Sequence, residues 1–135
     1  MQAAKTTGVP RAVAQSIAFV YAPGDGLRTE DDPLDLAAEG LRQLTVQGVV
    51  ALEHEVLNTP AIDGVALRYG LLYGPGTWYE KPPRPPSVHV DAAAQDTLLA
   101  VSRGAGVYNI AEDDGAVSSA KARCELGLDP EFRIP

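Results

Sequence analysis

The strongest constraint on the fold is a short apolar run, AVAQSIAFV at 12–20, fenced by Pro10 on one side and by Pro23, Gly24 and Gly26 on the other. A run of this length, closed by turn residues, is predicted to be a strand buried on both faces, the kind found in parallel sheets. A second run, GVALRYGLLY at 64–73, ends at Gly74-Pro75-Gly76 and is predicted to be a second buried strand. Between the two, 22–35 is rich in Gly, Pro and Asp and reads as a loop. In TVQGVVALEHEVL at 45–57, Val46, Val49, Val50, Val56 and Leu57 recur at helical spacing, while Gln47, His54 and Glu55 lie off that stripe. Thr45 is the expected N-cap and Pro60 the stop; 36–43 is expected to form a separate helical turn.

The second half repeats the alternation. TWYEKPPRPP at 77–86 carries four prolines and so cannot enter a sheet interior; it is predicted to be an extended surface loop. Its KPPRPP stretch reads as a rigid linker, or as a polyproline II segment able to dock in an aromatic groove. SVHV at 87–90 is predicted as a strand. Asp91 is expected to cap a helix running to about Arg103 with Ala94, Leu98 and Val101 inward. VYNI at 107–110 forms a further strand, and 117–126 a last helix capped near Ser118 and closed by Gly127. Strand alternating with helix predicts an α/β fold with a parallel sheet.

Composition removes several functions. The 135 residues hold 18 acids against 11 bases, a net charge of -7. Such a surface repels polyanions, so no nucleic acid and no membrane surface is expected as partner. No stretch reaches the run of about 18 apolar residues that a membrane span requires. The opening MQAAKTTGVPR has no apolar core and does not read as a signal peptide. Cys124 is alone, so it has no internal disulfide partner and is expected to pack as a small hydrophobe on the last helix. Cytoplasm is the expected location.

Four segments, in order, resemble the C-terminal half of the NAD-dependent epimerase/dehydratase family, the extended short-chain dehydrogenase/reductases. GVPRAVAQSIAFVYAPG resembles the family's fifth sheet strand and active-site loop. GVALRYGLLYGPGTWY is similar to the strand that ends in arginine and continues to Tyr-Gly-Pro-Gly. SVHVDAAAQDTLLAV resembles the strand-to-helix element His-Val-Asp-Asp-x-Ala, and GVYNIAEDDGAVSSAKARCELGLDP the closing Tyr-Asn-Ile strand and helix. The resemblance implies a partial Rossmann-like parallel sheet with a small C-terminal α/β substrate subdomain. It implies a single truncated domain, with 1–74 the remnant of the nucleotide-binding sheet and 75–135 the substrate side. Residue 1 falls where the family is partway through its fourth helix.

Two family features are missing from these residues. The glycine fingerprint that lets backbone reach a pyrophosphate at a helix N-terminus is absent. The Gly-x-Gly triplets begin at Gly24, Gly74 and Gly104, and the third glycine is replaced by Thr29, Tyr79 and Asn109. The Tyr-x-x-x-Lys pair, in which an ammonium lowers the pKa of a phenol one helical turn away, is also absent. Four residues beyond Tyr21, Tyr69, Tyr73, Tyr79 and Tyr108 stand Asp25, Tyr73, Thr77, Pro83 and Glu112. Aligning the helix through Gly48 and Glu55 places Gln47 and Ala51 at the pair's positions.

The resemblance names the candidate site. Ser16 stands near the family's hydroxyl-holding Ser/Thr, with Ile17 as the alternative one residue on; Ser16 and Gln47 occupy the catalytic positions. Tyr69, Gly70 and Leu71 match residues that pass beside nicotinamide, and Tyr73 and His89 fall on the substrate side. The bland readings are a strand serine, buried strand packing and, for the His89–Asp91 pair, a helix cap. Two ligands without a third make no metal site. His54, and the acidic Glu30, Asp31, Asp32 and Asp35, read as solvated surface. NAD or NADP is the implied cofactor, and binding by this chain alone is expected to be weak or absent. Two functions follow: an epimerase/dehydratase-like oxidoreductase acting on a nucleotide-sugar or other small carbonyl or hydroxyl compound, or a non-catalytic subunit. An orphaned strand edge would need cover, so a homo-oligomer or a partner chain is expected.

Overall fold

The computed structural model describes residues 1–135. Nine elements follow one another: α1 (Gln2–Thr7), β1 (Arg11–Ile17), α2 (Gly40–Asn58), β2 (Asp63–Tyr69), β3 (Leu71–Tyr73), β4 (Ser87–His89), α3 (Val90–Ala100), β5 (Gly106–Ile110) and α4 (Ala120–Glu125). β1, β2 and β5 form a parallel sheet with β2 in the centre, and β3 pairs in parallel with β4 in a second, two-stranded sheet. The predicted α/β class with a parallel sheet is the observed one. β5 returns from the second half of the chain to the first sheet, so 1–74 and 75–135 share it.

The central strand shows why the fold closes. β2 is buried on both faces, and Val65, Ala66 and Leu67 are fully buried. Helices cover both sides of a parallel sheet, so such a strand has no wet face. Val65, Leu67 and Tyr69 join the main core with Ala92, Ala93 and Ala100 of α3, and with Tyr108 and Ile110 of β5. Arg68 points the other way, toward α2.

Several sequence expectations are corrected. β1 is not buried on both faces: most of its residues are half-buried and Gln15 is exposed. The reason is position, since β1 lies at the sheet edge and pairs only with β2. The run at 64–73 is two strands, divided at Gly70. The helix expected at 45–57 is one element with the turn before it, Gly40–Asn58, because Leu41-Arg42-Gln43-Leu44 are strong helix formers. Thr45 is therefore no cap; its hydroxyl bonds back to the carbonyl of Leu41 at 3.2 Å. Val50 is exposed, and Glu53 takes a place on the buried side. Cys124 is exposed, because α4 has six residues and buries only Ala122.

α3 is rotated from its expected setting. Its buried residues are Ala92, Ala93, Asp96 and Ala100, whereas Ala94, Leu98 and Val101 face outward and Leu98 is 71% exposed. The helix starts directly from β4 without a loop, so the sheet sets its rotation. It lies against the sheet through alanines, the side chains that permit close approach. Its cap is His89, whose Nδ1 accepts the Asp91 N–H at 3.1 Å, not Asp91 itself. The Asp91 carboxylate instead accepts the N–H of Ile134 at 3.0 Å.

Asp96 is the exception in this apolar layer. It is 0% exposed and neither carboxylate oxygen meets a hydrogen-bond partner in the protein. Burial pushes its carboxyl up to about 7 from an ordinary 3.8. Between those values the folded chain holds a proton that the unfolded chain has released. The stability that this group permits is full below the unfolded value. It falls as pH rises through the interval and levels off above about 7. Denaturant titrations from pH 4 to pH 8 should show a downward slope of up to about 1.4 kcal/mol per pH unit from this residue. Asp96→Asn should abolish that component; an unchanged slope in the variant would refute the assignment.

Candidate functional site

A cavity of about 430 Å³ opens at the carboxyl ends of β1 and β2. Gln15, Ile17 and Phe19 supply one wall, Tyr69, Gly70 and Leu71 the floor, and Trp78 and Tyr79 the rim. The floor exists because Gly70 hands the chain from one sheet to the other. Its N–H bonds the Ile110 carbonyl of β5 at 2.9 Å, and the next N–H, of Leu71, bonds the Pro86 carbonyl at 2.8 Å. A Cβ at position 70 would lie 2.8 Å from the Ser87 backbone, so only glycine lets β3 reach β4 here.

The structure gathers the predicted nicotinamide-side residues and separates the rest. Tyr69, Gly70 and Leu71 lie together in the cavity. Tyr69 is buried, and its burial raises its pKa against the opposing effect of the hydrogen bond between its hydroxyl and that of Thr97 in α3. Ser16 is buried on the opposite face of β1; of the two alternatives there, Ile17 faces the cavity. Gln47 is exposed on α2 beside Leu36, Val50 and His54, away from the others. Tyr73 and His89 meet edge to face at 5.1 Å, next to the cavity. The Tyr73 hydroxyl bonds the Glu112 carboxylate; burial, with that carboxylate, pushes it up to about 12. His89 also borders a polar recess with Gly74, Gly76 and Glu80.

Sequence reasoning missed the network that holds Ser16. Its hydroxyl donates to Glu53 Oε1 at 2.7 Å. Arg68 grips the same carboxylate with two bonds, Nε to Oε1 at 2.8 Å and Nη2 to Oε2 at 2.7 Å. Arg68 Nη1 donates to the Tyr21 hydroxyl at 2.9 Å, and that hydroxyl donates to Asn109 Oδ1 at 2.6 Å. Burial raises the Tyr21 pKa, so it stays a neutral phenol that can donate. The signal available in the sequence was Glu53 itself, a charge beside the valine stripe of α2. Glu30, read as solvated, is likewise engaged: its carboxylate accepts the Asn109 N–H at 2.7 Å.

The chemistry on offer is binding. No charged residue lines the cavity, and its side chains with polar atoms are Gln15, Thr77, the phenols of Tyr69 and Tyr79 and the indole of Trp78. The Thr77 hydroxyl is committed to the Gly74 carbonyl at 2.8 Å. No acid is paired with a base there, so proton transfer has no built agent. A dinucleotide fits these residues in part only. The floor gives a flat ring an apolar bed, but none of the three Gly-x-Gly triplets opens a helix. Gly24–Gly26 lies in a loop, Gly74–Gly76 in a turn before β4, and Gly104–Gly106 leads into β5. A pyrophosphate therefore finds no cradle among them.

No protein-family model matches the chain. The chain is 38% identical over 132 residues to the 3-diazoavenalumate denitrifying reductase of a Streptomyces species, a match covering 93% of this chain and 40% of that protein. Among solved structures, MoeE5 with UDP-glucuronic acid and NAD superposes with a TM-score of 0.71 at 19% identity, over 98% of this chain and 63% of that one. The UDP-glucuronic acid 4-epimerase of Bacillus cereus with NAD gives 0.66 at 18%, over 98% and 60%. The dTDP-glucose 4,6-dehydratase of Streptomyces venezuelae with NAD gives 0.66 at 18%, over 98% and 59%. The chain thus spans two fifths of the reductase and about three fifths of these structures. Its fold is that of the corresponding part of the epimerase and dehydratase structures, as the four sequence segments implied.

The buried pair sets a stability test. Glu53→Gln leaves a guanidinium facing a neutral amide inside the protein, and removal of one partner of a buried ion pair costs about 3–5 kcal/mol. Equilibrium unfolding should show a loss of that order. A loss below 1 kcal/mol would mean that Arg68 is not held by Glu53.

Proposed function

We propose that this chain is the substrate-side portion of an NAD(P)-linked oxidoreductase of the epimerase/dehydratase kind, acting on a small carbonyl or hydroxyl compound. The position of the cavity carries the reading: in open α/β sheets, ligands bind outside the carboxyl ends of the strands, where this cavity lies. The 38% identical relative, a reductase by name, supports redox chemistry. Tyr69, Gly70 and Leu71 form the wall against which the cofactor ring rests, while the phosphate grip comes from a surface outside these residues.

The free edge of β1 favours a second element of the reading. Its half-buried apolar residues run along an unpaired strand, a template for another chain. The protein works as a homo-oligomer or with a partner that covers this edge, and no helix of the structure is long and apolar enough to cross a membrane.

Calorimetric titration with NADH or NADPH should give weak binding or none. Saturation-transfer NMR at millimolar NADH should mark the nicotinamide protons above the adenine protons. A dissociation constant in the low micromolar range would reveal a complete grip and overturn the division of labour; saturation confined to adenine would remove the cofactor from this cavity. Light scattering at micromolar concentration should find a dimer or larger species, and a stable monodisperse monomer would defeat the edge-covering proposal.

A further inference from the structure

We infer that the cavity selects a neutral, planar aromatic compound over a phosphorylated sugar. This deepens the oxidoreductase reading and rests on it for the cavity being the substrate side. Three independent features of the lining carry it. The first is concentration: the chain has one Trp, five Tyr and two Phe, and four of these eight aromatics (Phe19, Tyr69, Trp78 and Tyr79) line this cavity. Aromatic walls favour flat rings through offset or edge-to-face contact.

The second feature is charge. No Lys, Arg or His lines the cavity, so a pyrophosphate or carboxylate entering it would lose hydration without gaining a counter-charge. The net charge of -7 adds repulsion to any anion approaching. Gln15, exposed on the wall, offers an amide to a single oxygen of the ligand. That is enough to orient a hydroxyl or carbonyl substituent and too little to bind phosphate.

The third feature is Trp78. It is 98% exposed, and the backbone turn that carries it is tied. The turn carrying it is tied by the Gly74 N–H to the Tyr79 carbonyl at 2.8 Å and by the Thr77 N–H to the Gly74 carbonyl at 3.2 Å. Four prolines stiffen the segment that follows. A large apolar ring held open to water by a tied turn, at the rim of an apolar cavity, is a contact surface for a ligand.

Trp78 is the sole tryptophan, so its emission reads occupancy directly. Cinnamyl alcohol, neutral and planar, should change that emission saturably; cyclohexylmethanol, apolar but not flat, should bind more weakly, and UDP-glucose should give no saturable change. Phe19→Ala should weaken cinnamyl alcohol about tenfold; Tyr79→Ala serves the same purpose if the first variant does not fold. Equal binding of cyclohexylmethanol would overturn the aromatic preference. Saturation by UDP-glucose with cinnamyl alcohol silent would overturn the substrate class and leave the oxidoreductase reading standing. No saturable response to any of these probes would overturn both.

Discussion

One close approach organises the molecule: the backbone at Gly70 against the backbone at Ser87. Within one residue the chain leaves the first sheet, where Gly70 is bonded to β5, and enters the second, where Leu71 is bonded beside β4. Two consequences are geometric. Tyr69 ends one sheet with its ring toward α3, and Leu71 begins the other, so both border the gap between the sheets. That gap is the cavity. Any side chain at 70 would push β4 away and, with it, α3, which starts from β4 without a loop.

The same strand decides where charge can be buried. Side chains alternate along β2, so Leu67 and Tyr69 join the apolar layer while Arg68 is sent toward α2. There it meets Glu53 and Tyr21. Burial, the largest single effect, lowers the pKa of the guanidinium, but the hydrogen bonds and charges of Glu53 and Tyr21 together outweigh it and the net direction is up. On the other side of the sheet, Asp96 is buried with no such partner and is pushed toward neutrality. One layer thus holds a charged pair that is satisfied, the other a carboxyl that burial pushes toward its neutral form.

Legibility followed the physics of each signal. The strands at 12–20, 64–73, 87–90 and 107–110 were readable because short apolar runs between turn residues leave few alternatives. The division of the second run was written in Gly70 itself, a glycine inside a strand pattern, which marks a close backbone approach. The rotation of α3 was not readable from side-chain size. Leu98 is larger and more apolar than any alanine, but a helix pressed onto a sheet buries its smallest residues, and the contact that fixes this is nonlocal. Ser16 lies on β1 with its hydroxyl toward Glu53 while Ile17 faces the cavity, because period-two alternation turns an uncertainty of one residue into a change of face. The Arg68–Glu53 pair joins residues fifteen apart on a strand and a helix, and no spacing rule connects them.

The edge strand and the cavity are parts of one problem. Gln15 and Ile17 belong to β1, whose outer edge is unpaired, and they also form a wall of the cavity. A strand hydrogen-bonded along that edge would stand about 4.8 Å from β1, and its side chains on the α3 face would extend the same wall. Whatever covers the edge therefore also shapes the open side of the cavity. Under the proposed pairing, burial of the edge and completion of the binding surface would be the same event. Because the turn that carries Trp78 is tied and β1 is paired with β2, a strand added under the proposed pairing would be the element that sets the width of the open side.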